Sequence, residues 1–223
     1  MIEIHPTIDI DQYFGKIKSA LLDNSEIKVY QNMMEIDDLT VFDNGIVFVT
    51  VVSVCVDWTN TRQQSDRVTI TKAIYEAFCE HPKCKDVLSM DNHIVAVFDT
   101  PFKTDINATL DSVGKINAMF NLVDKVYQYK ISCGIGMHYG KVLLIKYSDG
   151  ENPIYSWSGE GIGIAVKLSD EPRINSRKVR ASFTVVNNLK EDYQNLFTKV
   201  DFEKYYEADP VNIAMNKWIN ANI

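Results

Sequence analysis

Residues 45–57 read GIVFVTVVSVCVD, a valine-rich run that ends on a carboxylate, and residues 58–66 continue WTNTRQQSD. β-Branched side chains suit a pleated strand. A run that is apolar at nearly every position suits a central strand covered on both faces. Thr50 and Ser53 interrupt it, and it falls short of the ~20 apolar residues that a membrane span requires. Asp57 at its tip poses the functional question. An ionised carboxylate costs several kcal/mol, roughly, to bury unless a cation, a basic side chain or a row of backbone N–H groups compensates it.

Working outward, a helix is expected over 63–80, with Ile70, Ile74, Ala77 and Phe78 on one stripe and Pro82 as its stop. Residues 85–98, KDVLSMDNHIVAVF, read as two short strands turning at Met90-Asp91-Asn92. A longer helix over 104–127 turns Ile106, Leu110, Val113, Phe120, Val123 and Tyr127 inward. Residues 130–147, KISCGIGMHYGKVLLIKY, are expected to form a strand pair, followed by PIYSWSGEGIG and a short helix, IGIAVKLSD. The tail alternates strands (VRASFTVV, FEKYYEAD) with a helix around EDYQNLF. The order βαββαβ is that of a ferredoxin-like α+β core, an antiparallel sheet covered by helices. Upstream, residues 1–44 form a helical lead-in, with a helix around DQYFGKIKSALLDN and a turn signal at Asp43-Asn44-Gly45. The domain proper is 45–223.

The composition, 46% hydrophobic and 24% charged, is that of a globular protein, and 223 residues suffice for one large domain. A formal charge of −7 argues against nucleic acid as a partner, because phosphate-tracking surfaces need clustered Lys and Arg. The start, MIEIHPTIDI, lacks the basic and apolar regions of a signal peptide, so the expected location is cytoplasmic. The cysteines at 55, 79, 84 and 133 form no CxxC, and CEHPKC (79–84) is too small a cluster for a closed zinc site.

In a βαββαβ core the first strand and the following hairpin are sheet neighbours. Asp57 and Asp91 are therefore expected to meet at one sheet end. Two unpaired carboxylates would repel, and a hard divalent cation resolves the conflict. Magnesium takes one or two carboxylates and leaves the rest of its shell to phosphates and water. WTNTRQQ precedes a helix N-terminus, whose N–H groups are ready to hold an anion. The combination points to a metal–triphosphate. The plain alternative is that Asp57 caps the helix or neutralises Arg62, and that Asp91 is only a turn aspartate. Side chains two apart on a strand share a face, so Cys55 points with Asp57, as a wall of the nucleoside pocket or as a buried structural thiol. His138 is expected to be a packed strand histidine and His93 a hairpin surface residue. Tyr155 and Trp157 are open between base stacking and a core or interface role.

SVCVDWTNTRQQ resembles the metal-binding strand of class III nucleotidyl cyclases, and SMDNHIVAVF is similar to their second metal-binding hairpin. CGIGMHYGKV (133–142) and YSWSGEGIGIAVKLS (155–169) resemble their glycine–histidine strand and the strand-turn-helix near their base and transition-state contacts. The small size and the IDDLTVFDNG lead-in look most like the pyrimidine cyclases of bacterial Pycsar anti-phage signalling.

The resemblance implies that Asp57 and Asp91 hold two Mg2+ or Mn2+ ions with help from the Trp58 carbonyl, and that Thr59, Asn60 and Thr61 cradle the β and γ phosphates. It implies a homodimer with active sites at the interface, and a separate cyclic-nucleotide-responsive effector. The family's base-reading lysine and aspartate correspond to Val87 and Ser156. The loss of those charges favours a pyrimidine, UTP or CTP, with cyclic UMP the expected product. The transition-state asparagine and arginine correspond to Gly163 and Lys167, with Arg62 and Arg173 as other sources of positive charge. Met90 stands where the family has glycine, and Asn92 is expected to take over the left-handed turn position. A cytidylate cyclase, a non-catalytic nucleotide-binding module on the same fold and an unrelated α+β ligand-binding domain stay open.

Overall fold

A computed structural model describes residues 28–30, 44–60, 63–128, 130–148, 154–170, 179–200 and 204–223, with isolated positions 15, 18, 33 and 39. Most of the lead-in, including most of its expected helix, therefore lies outside the described residues.

The valine run forms β2 (Asn44–Asp57), the spine of one sheet. β1 (Lys28–Tyr30) joins it in parallel. β3 (Cys84–Met90) and β4 (His93–Phe98) make the expected hairpin, and β4 lies antiparallel to β2. On the other side of β2 runs β5 (Ser132–Lys146), followed by β7 (Val179–Ser182), β9 (Tyr205–Ala208) and β8 (Thr198–Lys199), while β6 (Tyr155–Ser158) pairs with β5. The helices are α1 (Gln64–Cys79), α2 (Lys103–Tyr127), α3 (Glu160–Ser169), the short α4 (Phe183–Val186) and α5 (Glu191–Gln194), and α6 (Ile213–Asn222). The α+β architecture is the expected one, an antiparallel-rich sheet with helices on its faces.

Alternation along β2 divides the core in two. Val52, Val54 and Val56 pack with Ile70, Ile74 and Phe78 of α1 and with Leu110, Val113 and Phe120 of α2. Val47, Val49 and Val51 face the other way, with Trp157 of β6 and with Ile162 and Ala165 of α3. Both faces are covered, which explains why the run is apolar at almost every position. By the same alternation Ser53, Cys55 and Asp57 belong to the α3 face. The Ser53 hydroxyl lies 2.8 Å from that of Ser169, so the end of α3 is clamped onto this part of β2.

Three expectations change. Residues 132–146 form one long strand rather than a pair, because β2 pairs with nearly its whole length on one side and β6 and β7 flank it on the other. Gly136 serves packing there, since a Cβ at this position would lie 2.1 Å from the Ala165 carbonyl oxygen of α3. Asn44 opens β2 instead of turning. In the tail, Phe183–Val186 coils into α4 after a short β7, and α6 closes the chain with Asn212 as its cap, the Asn212 side chain accepting the Met215 N–H at 2.9 Å.

Candidate functional site

The end of β2 and the β3–β4 turn meet at one corner of the sheet. Cys55 and His93 are register partners, and the Val56 N–H donates to the Asn92 carbonyl at 2.9 Å. Asp57, the last residue of β2, is half-buried, and its Oδ1 accepts the Thr59 N–H at 2.9 Å. Asp91 is exposed at the turn with φ 53°. The left-handed residue is thus Asp91 itself and not Asn92. A short polar side chain adopts this backbone at modest cost where a bulky one would be strained, so the turn accepts an aspartate at this position.

Negative charge collects at this corner. The Cys55 thiol is pushed up to about 11, first by burial and then by Asp170, Asp57 and Asp91. His93 is not the surface residue expected from its hairpin position, because its Nε2 lies 2.7 Å from Asp170 Oδ1, just past the end of α3. Carboxylate oxygens from Asp57 and Asp91 are hard donors of the type that Mg2+ and Mn2+ prefer. The residues fit such ions.

On the phosphate side, Trp58–Asn60 forms a single 3-10 turn before α1. The Trp58 carbonyl, a ligand in the sequence reading, accepts a hydrogen bond from Arg67 Nη2 at 3.1 Å, and the guanidinium lies 5.9 Å from the Trp58 ring centroid. Thr59 is exposed, and the Gln63 side chain at the start of α1 accepts the Ser65 hydroxyl at 3.2 Å and makes no cap bond to a backbone N–H. The first N–H groups of that helix are therefore not capped by it. Asn60 is described in its backbone only; Thr61, Arg62 and Arg173 lie outside the described residues. The basic group seen beside the turn is Arg67. Its i+9 relation to Trp58 is a fold contact with no signature in the sequence.

The remaining candidates lie elsewhere in this chain. Val87 packs toward the helix-side core. Its neighbour Asp86 makes the polar contacts, accepting the Val87 N–H at 2.8 Å and Trp157 Nε1 at 2.8 Å. Ser156 is half-buried opposite Ile145, near the far end of β2 from Asp57, and Trp157 beside it is buried. Lys167 lines a cleft of about 480 Å3 together with His138, Arg180, Ser182, Lys204 and Tyr205, and neither aspartate lines that cleft. Gly163 is exposed and faces open space. Arg180 is buried against Glu207 at 3.1 Å. His138 is buried, burial lowers its pKa, and its Nδ1 has no hydrogen-bond partner among the described residues. A Cβ at Gly140 would meet the His138 ring at 2.5 Å, so the glycine makes room for the histidine. No helix among the described residues is long and apolar enough to cross a membrane.

No family model matches the chain. It is similar to a uridylate cyclase of Treponema porcinum, 23% identical over 232 aligned positions that cover 94% of this chain and 81% of that protein. It is also similar to a uridylate cyclase of Gulbenkiania mobilis, 25% identical over 190 positions, covering 74% and 69%. Among solved structures, an adenylyl cyclase of P. aeruginosa superposes with a TM-score of 0.59 at 8% identity, covering 77% of this chain and 98% of that one. The chain has the fold of the class III nucleotidyl cyclases, and its sequence resembles curated uridylate cyclases.

Proposed function

We propose that the protein is a pyrimidine nucleotide cyclase that converts UTP to 3′,5′-cyclic UMP and pyrophosphate, acting in the cytoplasm as the signal-generating half of an anti-phage system with a separate effector. The observation that carries this reading is the convergence of Asp57 and Asp91 on one sheet corner, joined by the Val56–Asn92 hydrogen bond. The similarity to uridylate cyclases supports the choice of base.

Asp57 and Asp91 would hold two Mg2+ or Mn2+ ions, with a Trp58 carbonyl lone pair not used by Arg67 as a further donor. When bound, such ions make the ribose 3′-hydroxyl a better nucleophile toward the α-phosphorus and stabilise the departing pyrophosphate. The backbone of residues 59–61 and the first turn of α1 would orient the β and γ phosphates through N–H groups, and Arg67 would add charge beside them. Lys167 lines a different cleft from the acid corner of its own chain and would not serve there. A homodimer that sets the Lys167 cleft of one subunit against the aspartates of the other would complete two equivalent sites. Cys55 would wall the nucleoside pocket. Val87 and Ser156 would take the base-reading positions, beside the hydrogen bond between Trp157 Nε1 and Asp86. Residues 1–44 would be a lead-in to the cyclase domain 45–223.

The test is incubation of the purified protein with each of the four nucleoside triphosphates and Mn2+, with products identified by mass spectrometry. Cyclic UMP as the dominant product is expected. Dominant cyclic CMP would move the base assignment, and metal-dependent UTP binding without pyrophosphate release would make the protein a nucleotide-binding module. Dominant cyclic AMP would overturn the pyrimidine reading.

A further inference from the structure

One cluster of metal-ligating side chains among the described residues lies beside the proposed catalytic pair and includes neither aspartate. Cys55 Sγ, a ring nitrogen of His93 and a carboxylate oxygen of Asp170 all lie within 4.8 Å of one another. Three elements deliver them. Cys55 and His93 are cross-strand partners on β2 and β4, on the face that α3 covers. The Ser53–Ser169 contact holds the end of α3 on that face, and Asp170, the next residue, reaches His93. Backbone pairing and a helix clamp thus fix all three positions before any ion arrives.

We propose that Cys55, His93 and Asp170 form a site for a thiophilic divalent cation of the zinc class, distinct from the oxygen-donor pair Asp57 and Asp91. Thiolate, imidazole and carboxylate together are the donor set that zinc accepts, and three protein ligands leave the fourth position to water. Magnesium, which prefers oxygen, has little to gain from two of the three. Zinc–ligand bonds of about 2.0–2.3 Å put tetrahedral donors roughly 3–4 Å apart, so side-chain rotation closes the gap. The Cys55 Sγ–H bond breaks, its proton leaves to solvent, and the sulfur–metal bond forms. The proton of the 2.7 Å His93 Nε2–Asp170 hydrogen bond leaves to solvent or moves to Nδ1 of the ring, and the freed Nε2 lone pair and an Asp170 oxygen turn onto the cation. Asp57 and Asp91 also bear electrostatically on Cys55, and their charge draws a dication inward. Asp170 supplies the entrance, since its side chain is half exposed while Cys55 is 7% exposed.

A consequence for turnover rests on the cyclase reading. Cys55 precedes Asp57 by two residues and His93 follows Asp91 by two. A cation fixed between them repels the catalytic ions and pins the turn, so zinc inhibits.

Co2+ serves as the spectroscopic probe, because a cobalt–thiolate bond gives a sulfur-to-metal charge-transfer band in the near ultraviolet. The band is expected in the wild type and in Cys79→Ser/Cys84→Ser, where the other accessible thiols are gone, and lost in Cys55→Ser. Asp170→Asn, a change at a half-exposed position that spares the fold, is expected to weaken Zn2+ binding by at least about 10-fold in calorimetry. A band that survives Cys55→Ser, no band in the wild type, or Zn2+ affinity lost only in Asp57→Asn would overturn the site and leave the cyclase reading intact. A band that behaves as expected, with no nucleotide cyclised, would support the site and remove the proposed function together with the inhibition.

Discussion

The Val56 N–H donates to the Asn92 carbonyl oxygen at 2.9 Å, so one hydrogen bond joins the residue before Asp57 to the residue after Asp91. Backbone pairing positions the two acids, and the Thr59 N–H that Asp57 Oδ1 accepts at 2.9 Å is one that an amide oxygen can also accept. That separation between scaffold and chemistry makes the site testable without unfolding it.

Asp57→Asn and Asp91→Asn should each abolish cyclisation, by at least about 100-fold, because bound metals supply several kcal/mol of charge stabilisation. Asn keeps the shape of both side chains and tolerates the left-handed backbone at position 91. Melting temperatures should stay close to the wild type while mass-spectrometric product yield collapses. A variant that retains most of its turnover would remove that aspartate from the metal site.

Mixing tests the composite site. Lys167→Ala and Asp57→Asn homodimers should both be inactive, yet an equimolar mixture that exchanges subunits should recover about a quarter of wild-type activity, since half of the dimers are mixed and each holds one intact site. Titration of one variant into the other, followed by pyrophosphate release, reads this out. No recovery after demonstrated exchange would mean that Lys167 and Asp57 serve the same site of one chain, and a Lys167→Ala homodimer that stays active would show that Lys167 has no role.

Gly136→Ala should destabilise the fold. The added Cβ would sit 2.1 Å from the Ala165 carbonyl oxygen, which belongs to a helix backbone and cannot rotate away. Overpacking of this kind costs about 1–3 kcal/mol, or a fall of roughly 3–10 °C in melting temperature for a chain of this size. Because α3 carries Lys167 and leads directly into Asp170, activity should fall further than stability alone predicts.

Acidification should weaken the protein. Burial lowers the pKa of His81 and of His138 below the usual 6.5. The unfolded chain therefore takes up protons at a pH where the folded chain does not, so the stability these groups contribute is full above about 6.5 and declines as pH falls toward their depressed folded values. His81 Nδ1 accepts the Lys83 N–H at 3.1 Å, a bond that the side-chain amide oxygen introduced by His81→Asn can mimic without titrating. Urea midpoints at pH 7.5 and 5.5 should differ less in that variant than in the wild type. An equal difference would show that His81 is not among the groups responsible.

Much of the fold was legible because its elements carry local signals. The valine run of 45–57, the apolar stripe of α1 and the long stripe of α2 each commit a segment before any tertiary contact forms, and their boundaries agree with the structure within a residue or two. The strand at 132–146 was not legible as one piece, since Gly134, Gly136 and Gly140 suit close packing or a bulge equally along the chain, and only the docked α3 shows that close packing holds at Gly136. The Arg67–Trp58 contact, the Asp86–Trp157 bond and the His93–Asp170 pair join residues whose partners no spacing rule connects.

By itself, the sequence determined that a buried strand ends in an acid, that a hairpin turn offers a second one, and that a helix start lies between them. Propensity and alternation act over a few residues and suffice for that. Only the tertiary structure decided that the turn adopts its left-handed backbone at Asp91, that Lys167 lines a cleft apart from both acids, and that Asp170 closes over Cys55 and His93. Those outcomes depend on where one element docks on another, and docking is set by the shape and burial of whole faces, which no short stretch of chain encodes.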